Sequence, residues 1–345
     1  MAKTSKSKRI FQVILLTSTA ISLFFVPWSI LWVRLKTLPD SVKGQIEQTI
    51  DQGHFAGMIV YVDEGGKDPE FYAAGWHNKE QKIKAYPEAL FKIASVGKLY
   101  VAASITKLVG DGKIDLDQSL AYYMPELEGR IENAASITIR QMVGHISGIP
   151  SYTETPGYWS APKETFEENL ALVLDQPAKF EPGKDYHYSN TNYLLLDEIM
   201  NRILGYTNFL YLKQEILEPL GLQNTHASVH HVDLDSLMSG YYVGYEGDLR
   251  TDNLGIVATA EDVGIFLRAL NEGSFFEGKE QEIYSSIYVY DHTGLVPGYQ
   301  TYAEYNEDLD TVVIQFLNTT DFSGYHWSYG RIALSRIMKI VKRRH

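Results

Sequence analysis

The longest apolar run lies at the start of the chain. No charged residue falls between Arg9 and Arg34, and Ile, Leu, Val, Phe and Trp dominate Ile10 to Val33. As one helix this run would extend about 36 Å, against roughly 30 Å for a bilayer core. Pro27 lies inside it as a potential kink, which a membrane helix tolerates, and Trp28 and Trp32 suit an interfacial belt. No small-x-small cleavage pattern follows Phe25, so the run reads as a retained signal-anchor over residues 10–33. Lys3, Lys6, Lys8 and Arg9 precede it, and Arg34 and Lys36 follow. The positive-inside rule then predicts a cytoplasmic tail over residues 1–9 and a domain outside the cell membrane. Residues 34–53 read as a linker carrying a short amphipathic helix (Val42, Ile46, Ile50).

Over 54–345 the periodicity changes several times. MIVYVDEGG and FYAAGW read as an antiparallel hairpin. From Ser95 to Val109, Val96, Leu99, Ala102, Ala103, Ile105 and Leu108 recur at helical spacing, and Gly110 ends the run. Thr138 with Gln141 forms a capping-box pattern. TFEENLALVLD, NYLLLDEIMNRIL and FLYLKQEILEPL have helical periods, and Thr259 opens another capped helix through Leu270. The tail turns to β-branched and aromatic runs, IYSSIYVY, GYQTYAEY and TVVIQFLN, before a helix at about 327–342. Strands at both ends around a helical middle predict one discontinuous domain of α/β class (α+β type). Its antiparallel sheet would be flanked by helices, with an all-helical insertion over roughly 110–255.

Composition narrows the chemistry. The 345 residues include 43 acidic and 31 basic side chains, for a net charge of −12. Six of those basic residues, and no acidic one, fall in positions 1–36. An acidic domain without a basic stripe argues against nucleic acid as a partner. Zero cysteine removes disulfides, thiolate metal sites and a cysteine nucleophile. Ser, Lys, Tyr, His and carboxylates remain.

Three stretches carry candidate chemistry. Ser95-Val96-Gly97-Lys98 puts a hydroxyl and an amine on one helix face. A neutral lysine can deprotonate a serine, and the helix N-terminus favours anionic character there. Tyr188-Ser189-Asn190 lies just before a helix, where a phenol beside a lysine can relay a proton. His292-Thr293-Gly294 lies on a late strand, where Gly294 would let a substrate backbone approach and strand N–H groups could bind an oxyanion. Each is common by chance when taken alone.

Their order and setting resemble the serine β-lactamase and penicillin-binding (DD-peptidase) superfamily. There the elements are S-x-x-K, Y-x-N and K-T-G or H-x-G. The Tyr-x-Asn form points to the class C β-lactamase and DD-carboxypeptidase/esterase branch. FKIASVGK, GKIDLDQSL, ITIRQMVGHISGIPSY, EPGKDYHYSNTNYLLL and DNLGIVATAEDVGIFLRAL carry the likeness over roughly residues 45–340. The resemblance implies Ser95 as acylated nucleophile, with Lys98 and Tyr188 as the proton-transfer pair, the base not apportioned between them. It also implies Asn190 on the substrate amide and the N–H groups of Ser95 and Leu295 as an oxyanion hole. His292 and Thr293 would face the substrate carboxylate. Histidine in place of lysine weakens carboxylate recognition near neutrality, which raises esters or unusual peptides as substrates.

The resulting expectation is a membrane-anchored, extracytoplasmic serine hydrolase of D-alanyl-D-alanine carboxypeptidase/β-lactamase-like type. Its substrate would be a D-amino-acid peptide, a β-lactam or an ester, with no cofactor and no metal. An esterase or a non-catalytic peptidoglycan- or β-lactam-binding sensor is the alternative, separable by turnover. Gly273 to Lys279 imitates a phosphate loop, but Glu280 stands where the Mg²⁺-binding hydroxyl should be. Gly144 to Gly148 (GHISG) has its serine one position late for a nucleophile elbow. His226, His230 and His231 lack a zinc motif.

Overall fold

The computed structural model describes residues 6–26, 28–321 and 323–344, with the side chains of Lys6 and Ser7 outside that description. The chain opens with α1 (Lys6–Phe24), α2 (Trp28–Leu35) and α3 (Val42–Gly53). The hairpin β1 (Gly57–Glu64) and β2 (Glu70–Asn78) and the short β3 (Ile83–Lys84) follow. Next, β4 (Phe91–Lys92) leads through a 3₁₀ turn, Ala94–Val96, into α4 (Gly97–Gly110). The middle holds α5 (Leu120–Tyr123), α6 (Ile139–Val143), α7 (Phe166–Ala171), α8 (Asn190–Leu204) and α9 (Asn208–Leu212). It ends in β5 (Thr225–His226), β6 (Tyr241–Tyr242) and β7 (Val257–Ala258). The tail is α10 (Ala260–Glu272), α11 (Glu280–Ile287), β8 (His292–Val296), β9 (Tyr299–Asn306), β10 (Thr311–Leu317), β11 (Thr319–Thr320) and α12 (Tyr325–Lys342).

The main sheet has the order β3-β2-β1-β10-β9-β8, with every neighbouring pair antiparallel. Its centre joins the two ends of the chain, from Met58 opposite Leu317 to Glu64 opposite Thr311. The unbroken apolar run in β1 has a simple cause, because both faces are covered. Met58, Val60 and Val62 pack with Val42 and Ile46 of α3 and Ile337 and Val341 of α12. The alternate residues Ile59 and Tyr61 join the larger core with Val263 and Phe266 of α10. Period two divides the strand between two layers of helices.

Several expectations are corrected. The apolar N-terminal segment is not one helix. Phe25 and Val26 form a turn through bonds to Ser22 O (3.1 Å) and Leu23 O (3.4 Å), and the axes of α1 and α2 differ by 77°. Among the described residues no single helix is long and apolar enough to cross a membrane, although the bent pair passes that test together. The expected kink residue, Pro27, lies outside the described residues. The short amphipathic helix expected within 34–53 forms as α3, capped by Ser41 (3.1 Å from Gly44 N), and it buries Val42 and Ile46 in the body of the domain. IYSSIYVY is α11 up to Ile287 rather than a strand. There Tyr284 and Ile287 turn inward at helical spacing, a period masked by β-branched and aromatic composition. The 110–255 insertion is not wholly helical, because it contributes β5 to a three-stranded sheet β4-β7-β5 and β6 to a pair with β11.

Arg336 of α12 fastens the N-terminal region to this body. It is 5% exposed and donates to Gln45 Oε1 (2.7 Å), Val33 O (3.4 Å), Lys36 O (2.9 Å), Thr37 O (2.8 Å) and Gln48 Oε1 (3.1 Å). Buried acceptors left without a donor are costly, so Arg336→Met is expected to lower unfolding free energy by about 2–4 kcal/mol. Denaturant titration together with faster proteolysis near residues 34–40 would check it. Unchanged stability would show that the clamp is idle.

Candidate active site

Three segments meet beside the β8 edge of the sheet. The first is the turn before α4. Ala94 holds a left-handed φ of +50°, a conformation unfavourable for an L-residue with a Cβ. It throws Ser95 onto the 3₁₀ turn that opens α4, so the hydroxyl lies at the helix's positive end. Lys98 is in the first α-helical turn, with Nζ 3.3 Å from Ser95 Oγ. A methyl group at Gly97 would meet Ile256 Cδ1 at 3.5 Å, an ordinary contact. Steric crowding therefore does not explain the helix-position glycine there.

Lys98 is 9% exposed. Its Nζ donates to Asn190 Oδ1 at 2.8 Å and lies 5.1 Å and 5.3 Å from the ring centres of Tyr188 and Tyr193. Burial pushes its pKa down to about 7, against an opposing pull from Asp197. The loss of hydration outweighs that one anion, so much of the amine is neutral near physiological pH. Burial pushes the Tyr188 phenol up to about 12, with the Ser95 hydroxyl pulling it back. Its buried oxygen faces the Ser95 hydroxyl across the cleft.

The second segment, the start of α8, is held by a loop whose role the sequence reading did not assign. Ser151 Oγ accepts from Asn190 N (3.1 Å), and Thr153 Oγ1 accepts from Asn190 Nδ2 (2.9 Å). Thr191 Oγ1 accepts from Tyr152 N (3.0 Å) and donates to Pro150 O (2.7 Å). Asn190 is thus bonded at both ends of its amide, clamping Lys98 before any substrate is present. His145 has a left-handed φ of +57°. Its Nδ1 accepts from Ser189 N at 3.1 Å, and its ring stacks on Tyr188 at 4.3 Å. Burial first, then the charge of Lys98, pushes its pKa down to about 3. It is a neutral ring that fixes the phenol's plane. GHISGIPSY is part of the stretch that carries the family likeness, but nothing in its spacing assigns His145 to the phenol.

The third segment is β8. His292, Thr293 and Leu295 line the cleft, and Gly294 between them is buried against the turn before α4. A Cβ there would lie 2.3 Å from Ile93 O and 3.0 Å from Ala94 Cβ. The glycine lets β8 close on the turn that carries Ser95, which sets Leu295 and Ser95 on adjoining edges of the cleft. His292 Nδ1 lies 2.6 Å from Thr293 O, so that nitrogen carries the proton and Nε2 accepts from Tyr288 Oη at 3.0 Å. Burial pushes its pKa down to about 4, with Lys98 adding to the fall and the Thr293 carbonyl opposing it. The position facing the expected substrate carboxylate is uncharged.

Ser95, Lys98, Tyr188, Asn190, His292, Thr293 and Leu295 therefore share one cavity of about 650 Å³, and Tyr152, Tyr158, Trp159 and Trp327 add aromatic walls. Among the described residues, no three or more His, Asp or Glu side chains converge as a metal site.

Residues 42–330 match the Beta-lactamase family model. Protein flp of Staphylococcus aureus (strain COL) is 26% identical over 202 residues, covering 58% of this chain and 40% of that protein. The serine beta-lactamase-like protein LACTB of Bos taurus, described as mitochondrial, is 26% identical over 257 residues, covering 54% and 46%. The matched region is less than half the length of these curated relatives. D-amino acid amidase from Ochrobactrum anthropi SV3 superposes with TM-score 0.77 at 21% identity, covering 88% of this chain and 98% of that one. The penicillin binding protein from Bacillus halodurans gives TM-score 0.72 at 20% identity, covering 86% and 99%. With the family model spanning most of the sequence, and with the fold and the S-x-x-K, Y-x-N and H-x-G elements in one cleft, this chain belongs to the Beta-lactamase family.

Proposed function

We propose that the chain is a serine hydrolase working through an acyl-enzyme at Ser95, of carboxypeptidase/β-lactamase-like type. The observation that carries this is a desolvated amine 3.3 Å from a helix-end hydroxyl, with its pKa lowered to about 7. Lys98 takes the Ser95 proton as Oγ bonds to the substrate's acyl carbon. The N–H groups of Ser95 and Leu295 receive the oxyanion. As the tetrahedral adduct collapses, the ammonium of Lys98 returns the proton to the departing amine or alkoxide, with the Tyr188 hydroxyl as relay. Water then reverses the sequence on the ester.

The acyl donors are D-amino-acid peptides or amides, β-lactams or esters. The neutral His292 favours donors with an uncharged leaving side over those with a free carboxylate, because no cation there offsets the desolvation of an anion. We further propose that α1 and α2 anchor the domain to the cell membrane, with the catalytic domain extracytoplasmic. Support comes from the exposed apolar side chains of Phe11, Leu16, Phe24 and Trp32 and the basic residues before them.

Intact-mass spectrometry after incubation with a fluorescent penicillin, and separately with a D-amino-acid ester, tests the reading. A covalent adduct is expected on the native chain and none on Ser95→Ala, with faster acylation by the ester. Labelling that persists at another residue refutes the assignment.

A further inference from the structure

The catalytic cavity does not end at Lys98. It continues between two helices, past Val101 and Ser104 of α4 and Asp197 and Met200 of α8, to Asn208 and Phe209 of α9. Successive pairs among residues 95, 98, 101 and 104 are i,i+3 neighbours, a row that winds slowly round the turn and helix along the cavity wall. On α8, Asp197 lies seven residues after Asn190, two turns deeper on the same face and about 10 Å along the axis. Asn190 is the residue that grips Lys98.

Asp197 is an unusual group to find there. It has no ion-pair partner within 4 Å among the described residues, and its side-chain hydrogen bond comes from Asn208 Nδ2 at 2.5 Å. A half-buried carboxylate between packed helices, with no contacting cation, needs a physical reason. We propose that Asp197 is a positioning residue that governs the protonation of Lys98 from behind the nucleophile, across the cavity between α4 and α8. The proposal rests on the acyl-enzyme reading.

The electrostatics agree with the geometry in both directions. Burial pushes the Asp197 carboxyl up to about 7, with Lys98 and then Asn208 pulling it back. Asp197 in turn pulls up the pKa of Lys98. The two groups titrate as a coupled pair. An ionised Asp197 keeps the proton on Lys98 and delays the free amine to higher pH. A protonated Asp197 releases it. The other titratable groups facing the pair are Tyr188 before α8, Tyr193 on α8, Tyr152 and Tyr158 on the preceding loops, His145, and His292 on β8, with Lys163 and Glu164 on the cavity wall at exposed positions before α7. Burial holds the tyrosines and both histidines in their neutral forms around pH 7. The walls at the deep end are uncharged, so Asp197 is the acidic group that sets the amine.

The test follows labelling of Ser95 by a fluorophosphonate probe between pH 5 and pH 9, and reads the midpoint of the acidic limb independently of plateau height. Asp197→Asn is expected to move that midpoint down by about one pH unit, and Asp197→Glu to keep it near the native value. Asn208→Ala, which removes the donor that favours the anion, is expected to move it the same way by less. Should Asp197→Asn fail to fold, Asn208→Ala alone decides. An unmoved or raised midpoint overturns the proposal, as does a uniform loss of labelling without a shift. The ¹³Cε resonance of Lys98, titrated by NMR in a Ser95→Ala background with and without Asp197→Asn, reports the same coupling without turnover. If Ser95→Ala still labels, the acyl-enzyme reading fails, whereas an NMR midpoint that ignores Asp197 removes only this inference.

Discussion

Lys98→Met is expected to slow acylation of Ser95 by about a thousandfold, the scale of a lost general base, while the fold survives. Methionine has nearly the same length and suits the buried space that the lysine stem fills. The same assignment fixes the pH dependence of the native chain. Burial lowers the Lys98 pKa to about 7, so the amine is protonated and inert below that pH and free above it. Acylation should rise through pH 7 and level off. Neither neighbouring histidine adds a limb, because burial lowers His145 to about 3 and His292 to about 4. Tyr188, raised to about 12, keeps its proton throughout. Stopped-flow acylation with an uncharged ester, from pH 5 to pH 9, measures both effects. A rate that ignores the substitution, or a limb near pH 10, would remove Lys98 from the base role.

Gly294→Val is expected to cut acylation at least about a hundredfold, the scale of a lost oxyanion donor, and to destabilise the domain by about 1–3 kcal/mol, the range for overpacking. The Cβ position already lies 2.3 Å from Ile93 O. That atom is backbone and cannot rotate away, so β8 must part from the turn that carries Ser95. The oxyanion donors then lose their spacing while Lys98 and Tyr188 remain in place. The expected signature is a fall in the acylation rate at every pH with an unmoved midpoint, together with a lower melting temperature. A variant that acylates at the native rate would show that the cleft does not depend on this contact.

The site was legible where its chemistry is local. Ser95 and Lys98 share a turn, and Tyr188 and Asn190 sit two positions apart before an apolar helix. Helices α4, α8, α10 and α12 follow from apolar spacing, with Thr259 capping α10. Reading failed where composition and context disagree. The aromatic and β-branched IYSSIYVY looks like a strand, yet α11 forms because its inward stripe packs against α4. At the N-terminus apolarity predicted one continuous span. The 25–26 turn and the Arg336 clamp instead bend it and tie α2 to the body of the domain.

The residues by themselves determined which functional groups exist: a hydroxyl, an amine and a phenol, no thiol, and two apolar layers for a sheet to divide. Only the tertiary structure decided their properties. Whether Lys98 is a cation or a base depends on water excluded by Tyr188, Tyr193 and α8. Whether His292 bears charge depends on Tyr288 and a carbonyl. That Asp197 shares the cavity with Lys98 depends on the packing of α4 against α8. Side-chain pKa values follow from distance and dielectric surroundings, which linear order does not contain and packing supplies.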